Sequence, residues 1–281
     1  MNNSKKTDPS NQLGSTGTTE ESSIRGFQGE DLVIDYGGDP IIDGESLEVP
    51  PESITALIGP NGSGKSTLLK GLAKQHTPTS GTVYLNGRDV YELGTKELAQ
   101  KLGLLSQENV LPESITVKEL VQHGRYPHRG FFEPINDDDR IAINQAIEFA
   151  GITDLREREV GSLSGGQKQL AWIAMILAQE TDVLLLDEPT TFLDLRHQLI
   201  VMEIIDKLNE TSTTTVVLVL HDIQQACRHA DYMIVLSEGE IYDRGTPVSV
   251  MTEAMLADVF GVNATVEIRG ERAHIEPNHP L

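Results

Sequence analysis

The chain has 281 residues, of which 43 are acidic and 22 are basic, and its formal net charge at pH 7 is −21. This excess of negative charge argues against a general nucleic-acid-binding surface. The length is sufficient for one α/β core with a smaller subdomain. A single cysteine, Cys227, excludes an internal disulfide and the usual multi-cysteine zinc patterns, and it fits a reducing compartment.

The N-terminal 25 residues are rich in Ser, Thr, Asn and Gly and contain few apolar residues, so we predict a disordered tail. They lack the apolar segment of a signal peptide. No run of about 18 apolar residues occurs anywhere in the chain. A role in membrane transport would therefore require separate membrane subunits.

A glycine-rich loop follows the apolar run Ile54–Ile58, which we interpret as a buried strand, and residues 66–73 predict a helix that begins inside the loop. The loop fits the phosphate-binding pattern G-x-x-x-x-G-K-[ST]. We expect Lys65 to reach the β- and γ-phosphates and Ser66 to ligate Mg²⁺. The alternative is a glycine turn before an ordinary helix. The predicted nucleotide-binding residues are Gly59, Pro60, Asn61, Gly62, Ser63, Gly64, Lys65, Ser66 and Thr67.

Helical patterns occupy the region from about residue 90 to 165. Residues 137–139 are three aspartates that favour a helix N-terminus, and Gly151 is placed to end that helix. Residues 163–167, Leu-Ser-Gly-Gly-Gln, precede a further helical pattern at residues 168–178. A serine followed by two glycines at a helix start predicts a second anion-binding site.

The apolar run Val183–Asp187 predicts a second buried parallel strand, which ends in two carboxylates. We assign Asp187 as a Mg²⁺ ligand beside the phosphate loop. Glu188, one residue further on, is assigned to polarise the attacking water. The alternative is a strand followed by an acidic turn that Pro189 closes.

The pentapeptide at residues 163–167 resembles the signature of ABC-type ATPases, and the order and spacing of motifs match that family over about residues 28 to 265. The resemblance implies an α/β fold, with a mainly parallel sheet in the phosphate-loop ATPase core, an antiparallel β subdomain and a helical subdomain at about residues 108–178. It places the ATPase domain at residues 26–265 and leaves residues 266–281 as a short C-terminal tail.

The same resemblance assigns further roles. Tyr36 is expected to stack on adenine, and Gln107 to contact Mg²⁺ and signal to the membrane partner. His221 is expected to contact the γ-phosphate, and Asp194 to cross a dimer interface. The catalytic set is Lys65, Gln107, Glu188 and His221; the Mg²⁺ ligands are Ser66, Gln107 and Asp187; the signature residues that contact ATP are Ser164, Gly165, Gly166 and Gln167.

The family's arrangement implies a head-to-tail homodimer with two ATP molecules between the subunits. The phosphate loop of one copy faces the signature of the other. Other implied partners are integral membrane permease subunits and, indirectly, an extracellular substrate-binding protein. The implied location is the cytoplasmic face of the cell membrane, reached through the permease, and no nucleic acid is expected.

Three local segments resemble the importer subgroup for iron(III)-siderophores, haem and vitamin B12. They are residues 123–128 (His-Gly-Arg-Tyr-Pro-His), 190–197 and 259–263. We favour iron(III)-siderophore as cargo and keep cobalamin or haem import as the alternative. Import of manganese or zinc ranks third. A non-transport ABC ATPase with soluble partners is a further alternative.

The net charge of −21 also suggests adaptation to high salt, where screening removes most of the self-repulsion between acidic side chains. The competing interpretation is an acidic protein from a low-salt environment. We expect ATPase activity to be higher in molar KCl than at low ionic strength. Equal activity in a salt titration would contradict the halophilic interpretation.

Overall fold

The computed structural model describes residues 26–107, 109, 114–130, 133–270 and 272–281; the tail predicted for residues 1–25 lies outside them. The strands are β1 (Phe27–Ile34), β2 (Ile42–Val49), β3 (Ile54–Ile58), β4 (Ser80–Leu85), β5 (Arg88–Asp89), β6 (Leu102–Leu105), β7 (Val183–Asp187), β8 (Thr215–Val219), β9 (Tyr232–Ser237), β10 (Glu240–Gly245), β11 (Val262–Arg269) and β12 (Arg272–Pro280). The helices are α1 (Lys65–Leu72), α2 (Thr95–Ala99), α3 (Val117–His123), α4 (Asp137–Phe149), α5 (Gly165–Leu177), α6 (Leu195–Ser212), α7 (Ile223–His229), α8 (Pro247–Val250) and α9 (Glu253–Phe260).

A six-stranded sheet in the order β10-β9-β3-β8-β7-β6 forms the centre of the molecule. Its pairs from β9 to β6 are parallel, and β10 joins the edge antiparallel to β9. Every residue of β3, β7 and β8 is buried, as expected for parallel strands that are covered on both faces. Side chains alternate between two cores, with Ala56 and Ile58 in one and Leu57 in the other. The predicted α/β fold is confirmed.

A second sheet, in the order β2-β1-β4-β5, is antiparallel throughout. Its inward side chains, such as Phe27 and Val83, share a hydrophobic core with Leu57 of β3 and Leu68 of α1. This sheet therefore packs over the phosphate-loop side of the central sheet. It is the antiparallel subdomain that the family resemblance implies.

Three helices, α3, α4 and α5, pack against one another between β6 and β7 in the chain. Each begins with a capping box, in which the first side chain accepts from a backbone N–H and the third helical side chain accepts in return. Such reciprocal caps satisfy backbone donors that a helix start otherwise leaves unpaired. The pairs are Thr116 with Glu119, Asn136 with Asp139, and Ser164 with Gln167.

Arg125 is a buried charge that ties these helices together. Its guanidinium donates to Asp139 Oδ1 at 3.0 Å, to Glu180 Oε2 at 2.5 Å and to the Ala178 backbone oxygen at 2.8 Å. The Arg125 and Asp139 side chains are only 6% and 1% exposed. Removal of one partner would leave an uncompensated buried charge, which typically costs about 3–5 kcal/mol.

The histidines that flank Arg125 also have structural partners. The His128 Nε2 atom lies 2.7 Å from the backbone oxygen of Gln179, and the His123 ring stacks on Tyr126 at 4.9 Å between centroids. Among the described residues, no group of three or more His, Cys, Asp and Glu side chains is arranged to hold a metal ion. Much of the segment at residues 123–128 is therefore explained by packing between the helical subdomain and the edge of the central sheet.

The C-terminal residues form a hairpin. Strands β11 and β12 pair antiparallel, and the hairpin packs against α7 and α9 with Ala264 and Ala273 buried. Residues 266–281, which we predicted as a short tail, thus include the end of β11 and all of β12. The sequence carries a signal for this, because Val262, Ala264 and Val266 alternate with polar residues along β11.

The longest described helix is α6, with 18 residues, and it carries Arg196, Glu203 and Asp206 among other charged side chains. Across the described ranges, no helix combines the length and the apolar character that a bilayer span requires.

Candidate nucleotide-binding site

The loop between β3 and α1 has the backbone that close approach to phosphate requires. Gly62 and Gly64 adopt φ values of 81° and 98°, a region that L-residues rarely occupy. A Cβ at Gly64 would also lie 2.8 Å from the Ile42 side chain of the antiparallel subdomain. At Gly59, a Cβ would collide with the backbone oxygen of Leu236 in β9. Two sheets therefore enclose the loop, and its glycines are needed for space as well as for conformation.

The Lys65 amine lies across this loop. Its Nζ atom donates to the Gly59 oxygen at 2.9 Å and to the Pro60 oxygen at 2.8 Å. The side chain is buried, and burial lowers the pKa of Lys65, an effect that the nearby Glu188 and Asp187 charges oppose. A buried amine beside unpaired helix-start N–H groups concentrates positive potential where a phosphate would lie.

Ser66 and Asp187 meet on the other side of the loop, where the Ser66 hydroxyl donates to Asp187 Oδ1 at 2.8 Å. Burial raises the pKa of Asp187, while the hydrogen bond from Ser66 opposes the rise. A hydroxyl and a carboxylate this close are oxygen donors of the kind Mg²⁺ takes beside substrate phosphates. Ser66 of α1 and Asp187 of β7 are two of the predicted Mg²⁺ ligands, and their side chains fit that ion.

Glu188 follows β7 directly and has three side-chain partners. Its carboxylate lies 2.5 Å from His221 Nε2, and it accepts from Gln107 Nε2 at 2.8 Å and from the Thr191 hydroxyl at 3.1 Å. The Glu188 backbone is left-handed, with φ of 53°. Gln107, Glu188 and His221, three members of the predicted catalytic set, thus converge in the structure although they follow three different strands.

A cleft of about 740 Å³ opens over this cluster. It is lined by Asn61, Gly62, Gln107, Glu188, Thr190, Thr191, Phe192, Gln198, His221, Asp222 and Gln225. The lining residues that were not among the predicted site residues are Thr190, Thr191, Phe192, Gln198, Asp222 and Gln225. Thr191 sits three residues after Glu188 and is readable as its local partner, whereas Gln198 and Gln225 reach the cleft only through the packing of α6 and α7.

Tyr36 lies between β1 and β2 with 58% of its surface exposed. One face of its ring leans on His76, with the centroids 4.4 Å apart, and His76 Nε2 lies 2.6 Å from the Asp35 backbone oxygen. An exposed aromatic ring that is supported from behind is suited to base stacking. His76 is a support that the sequence did not indicate.

The signature residues lie apart from this cleft, since none of residues 164–167 lines it. Ser164 begins α5, and the Cα of Gly166 lies so close to the His197 ring that a Cβ there would collide with it. His197 in turn contacts Asp194, which begins α6, through Nδ1 at 2.8 Å and through its backbone N–H at 2.9 Å. The predicted site residues therefore form two groups, one around the phosphate loop and one joining the signature to Asp194.

A phosphate loop, a facing carboxylate for a divalent cation and a second carboxylate held by glutamine and histidine define a nucleotide-hydrolysing site of the phosphate-loop class. Comparison with known families gives the same class and a narrower assignment. Residues 42–191, just over half of the chain, match the family described as ABC transporter.

Individual relatives agree. The chain is 43% identical to the ferric enterobactin transport ATP-binding protein of Escherichia coli (strain K12), over 87% of this chain and 90% of that one. It is 44% identical to the iron(3+)-hydroxamate import ATP-binding protein of Bacillus subtilis (strain 168), over 84% and 88%. A solved metal-chelate type ABC transporter in an inward-facing conformation superposes with a TM-score of 0.78 at 28% identity, covering 91% of this chain and 98% of that one.

The chain belongs to the ABC transporter family and is an ATP-binding, ATP-hydrolysing subunit.

Substitution of Glu188 by glutamine tests the role assigned to its carboxylate. We expect Glu188→Gln to lower ATP turnover by about 100-fold or more, because an amide cannot accept a proton from water. ATP binding should change little, since the phosphate loop is untouched. Single-turnover hydrolysis and equilibrium ATP binding measure the two effects.

Glu203→Gln is the matched control, because Glu203 is an exposed glutamate on α6. It should hydrolyse ATP like the wild type. Normal turnover by Glu188→Gln would show that another group handles the water.

Proposed function

We propose that this chain powers the import of iron(III)-siderophore complexes. The observation that carries the proposal is its similarity to two ATP-binding proteins named for the transport of ferric enterobactin and of iron(3+)-hydroxamate. Both names give ferric iron as part of the cargo, and the solved neighbour is of metal-chelate type. The matches extend over more than four fifths of each chain, so the resemblance is not confined to the nucleotide-binding motifs.

In this proposal the phosphate loop and Lys65 bind the β- and γ-phosphates of ATP. Ser66 and Asp187 would hold Mg²⁺, with Gln107 as a third contact, and the bound ion would supply positive charge beside the phosphates. The 2.8 Å contact between Ser66 and Asp187 supports this, because the two oxygens already lie on one side of the loop. Tyr36 stacks on the adenine.

Glu188 acts as the group that orients and deprotonates the attacking water. This role is supported by three side chains that contact the Glu188 carboxylate, namely Gln107, Thr191 and His221. Together these contacts hold the carboxylate in one orientation. A catalytic carboxylate that is already oriented does not have to be ordered during the reaction. In this proposal His221 contacts the γ-phosphate; it follows β8, which neighbours β7 in the central sheet.

A second copy of this chain is the partner that completes the site. The signature group, residues 164–167, does not line the cleft of its own chain, yet it forms one surface with Asp194 through His197. Phe192 and Leu195 flank Asp194 and are 97% and 71% exposed. In a head-to-tail dimer with ATP between the copies, the interface would cover these exposed apolar side chains and the anion-binding site beside them.

The membrane partners are integral permease subunits, through which the chain is held at the cytoplasmic face of the membrane. The relatives support this proposal, because they are named as the ATP-binding proteins of transport and import systems. An extracellular binding protein would deliver the cargo to the permease and have no contact with this chain.

Uptake in cells that lack this gene tests the cargo. We expect accumulation of radiolabelled iron(III)-siderophore to fall and to be restored by the wild type but not by Lys65→Ala, which removes the phosphate-binding amine. Lys96→Ala, which alters an exposed lysine that donates to the Arg129 backbone oxygen, is the matched control and should restore uptake.

Labelled cobalamin and haem are measured in the same cells. Loss of cobalamin or haem uptake alone would assign that cargo and contradict the iron(III)-siderophore proposal. Unchanged uptake of all three would favour another cargo or an ATPase with soluble partners.

A further inference from the structure

The turn between Glu188 and Asp194 is held in an unfavourable backbone conformation. Glu188 and Phe192 both have left-handed backbones, with φ values of 53° and 62°, although neither is glycine. Each such residue costs of the order of 1 kcal/mol and persists only where its surroundings enforce it. Phe192 is almost fully exposed and supplies no packing of its own. Other contacts must therefore hold this turn.

The turn has internal hydrogen bonds, among them that from the Thr191 hydroxyl to Glu188, and two glutamine side chains add a continuous series of hydrogen bonds from outside it. The Thr190 hydroxyl donates to Gln225 Oε1 at 3.2 Å, and Gln225 Nε2 donates to Gln198 Oε1 at 3.0 Å. Gln198 Nε2 then donates to the Leu193 backbone oxygen at 3.1 Å. The series starts and ends on the turn, so the two amides brace it from both sides.

The direction of these bonds is the same throughout, because each amide accepts at its oxygen and donates from its nitrogen. Hydrogen bonds arranged head to tail polarise one another and act as a unit. The two glutamines are half-buried, and Thr190 is 7% exposed. Loss of either amide would therefore leave the other with an unmatched donor or acceptor.

Gln225 connects the turn to His221. It lies in the first turn of α7, where Asp222 Oδ1 accepts from the Gln225 backbone N–H at 3.1 Å. Asp222 follows His221 directly. A shift of Gln225 would thus move the segment that carries His221, and the 2.5 Å contact between His221 and Glu188 would change with it.

We propose that Gln198 and Gln225 are positioning residues for ATP hydrolysis. Their hydrogen-bonded amides fix the position of the Glu188–Asp194 turn relative to the segment that carries His221, so that the Glu188 carboxylate and His221 stay aligned. The proposal rests on the roles proposed above for Glu188 and His221. Neither glutamine is required to touch the nucleotide, so their effect should fall on the rate of hydrolysis and spare ATP binding.

The test uses the purified full-length chain with Gln198→Met, Gln225→Met and the double variant. Methionine keeps the length of glutamine and removes its hydrogen bonds. We expect kcat for ATP hydrolysis to fall about fivefold in each single variant, since one such bond is worth about 1 kcal/mol. KM for ATP should stay within about twofold, and the double variant should be no worse than about the worse single variant.

Gln224→Met is the matched control. Gln224 is the neighbouring glutamine on α7, and its amide donates to the Ile275 backbone oxygen of the C-terminal hairpin at 2.6 Å. It should retain the wild-type kcat. Should Gln198→Met fail to fold, Gln198→Glu keeps the acceptor for Gln225, replaces the donor to Leu193 by a charged carboxylate oxygen, and is expected to lose at least as much kcat.

A rise in KM with unchanged kcat would overturn the proposal, as would losses that multiply in the double variant or a loss of equal size in Gln224→Met. Glu188→Gln, assayed in parallel, tests the role of Glu188 separately from the role of the two glutamines. If it hydrolyses ATP normally, the role of Glu188 is wrong whatever the glutamine variants show.

Discussion

Parallel pairing of β6, β7, β8 and β3 is the constraint on which the rest of the site depends. Parallel strands end at the same edge of a sheet, and in this register Leu105 pairs with Leu186, Leu186 with Leu218 and Leu57 with Val219. Gln107, the two carboxylates at 187 and 188, His221 and the phosphate loop all follow those ends within a few residues. The cluster is a consequence of strand order, in which the fully buried strands β3, β8 and β7 lie side by side inside the sheet.

The same arrangement separates the predicted site residues into two groups. The central sheet brings the phosphate loop, the proposed Mg²⁺ ligands and Glu188 to one cleft, while the helical subdomain carries the signature elsewhere. His197 joins that signature to Asp194 within the chain, and Gln198, the next residue, joins the Asp194 turn to the cleft. The start of α6 thus links the two groups of site residues. His197 contacts the signature group, and Gln198 contacts the turn beside the cleft.

Local patterns explain how much could be predicted from the sequence. The phosphate loop, Ser66 and Asp187 are contiguous with strands whose apolar runs are unmistakable, and their contact follows from strand pairing. Cys227 is buried, and burial raises the pKa of its thiol to about 11.

Features that depend on tertiary packing could not be predicted from local sequence patterns. The Arg125 network joins residues up to 55 positions apart, and the contact between Gln198 and Gln225 depends on how α6 lies against α7. The hairpin β11–β12 was missed for another reason. Its alternation is visible, but nothing in the sequence alone says which surface it covers.

In the shared site proposed above, one active site requires two copies of the chain. The most direct measurement mixes two purified variants, Lys65→Ala, which lacks the phosphate-binding amine, and Ser164→Glu, which places a carboxylate at the signature. Each should be inactive alone. Mixed equally, they should recover up to roughly a quarter of the wild-type ATPase rate, because random pairing makes half of the dimers mixed, each with one intact site of two. A mixture no more active than its separate components would contradict the shared site.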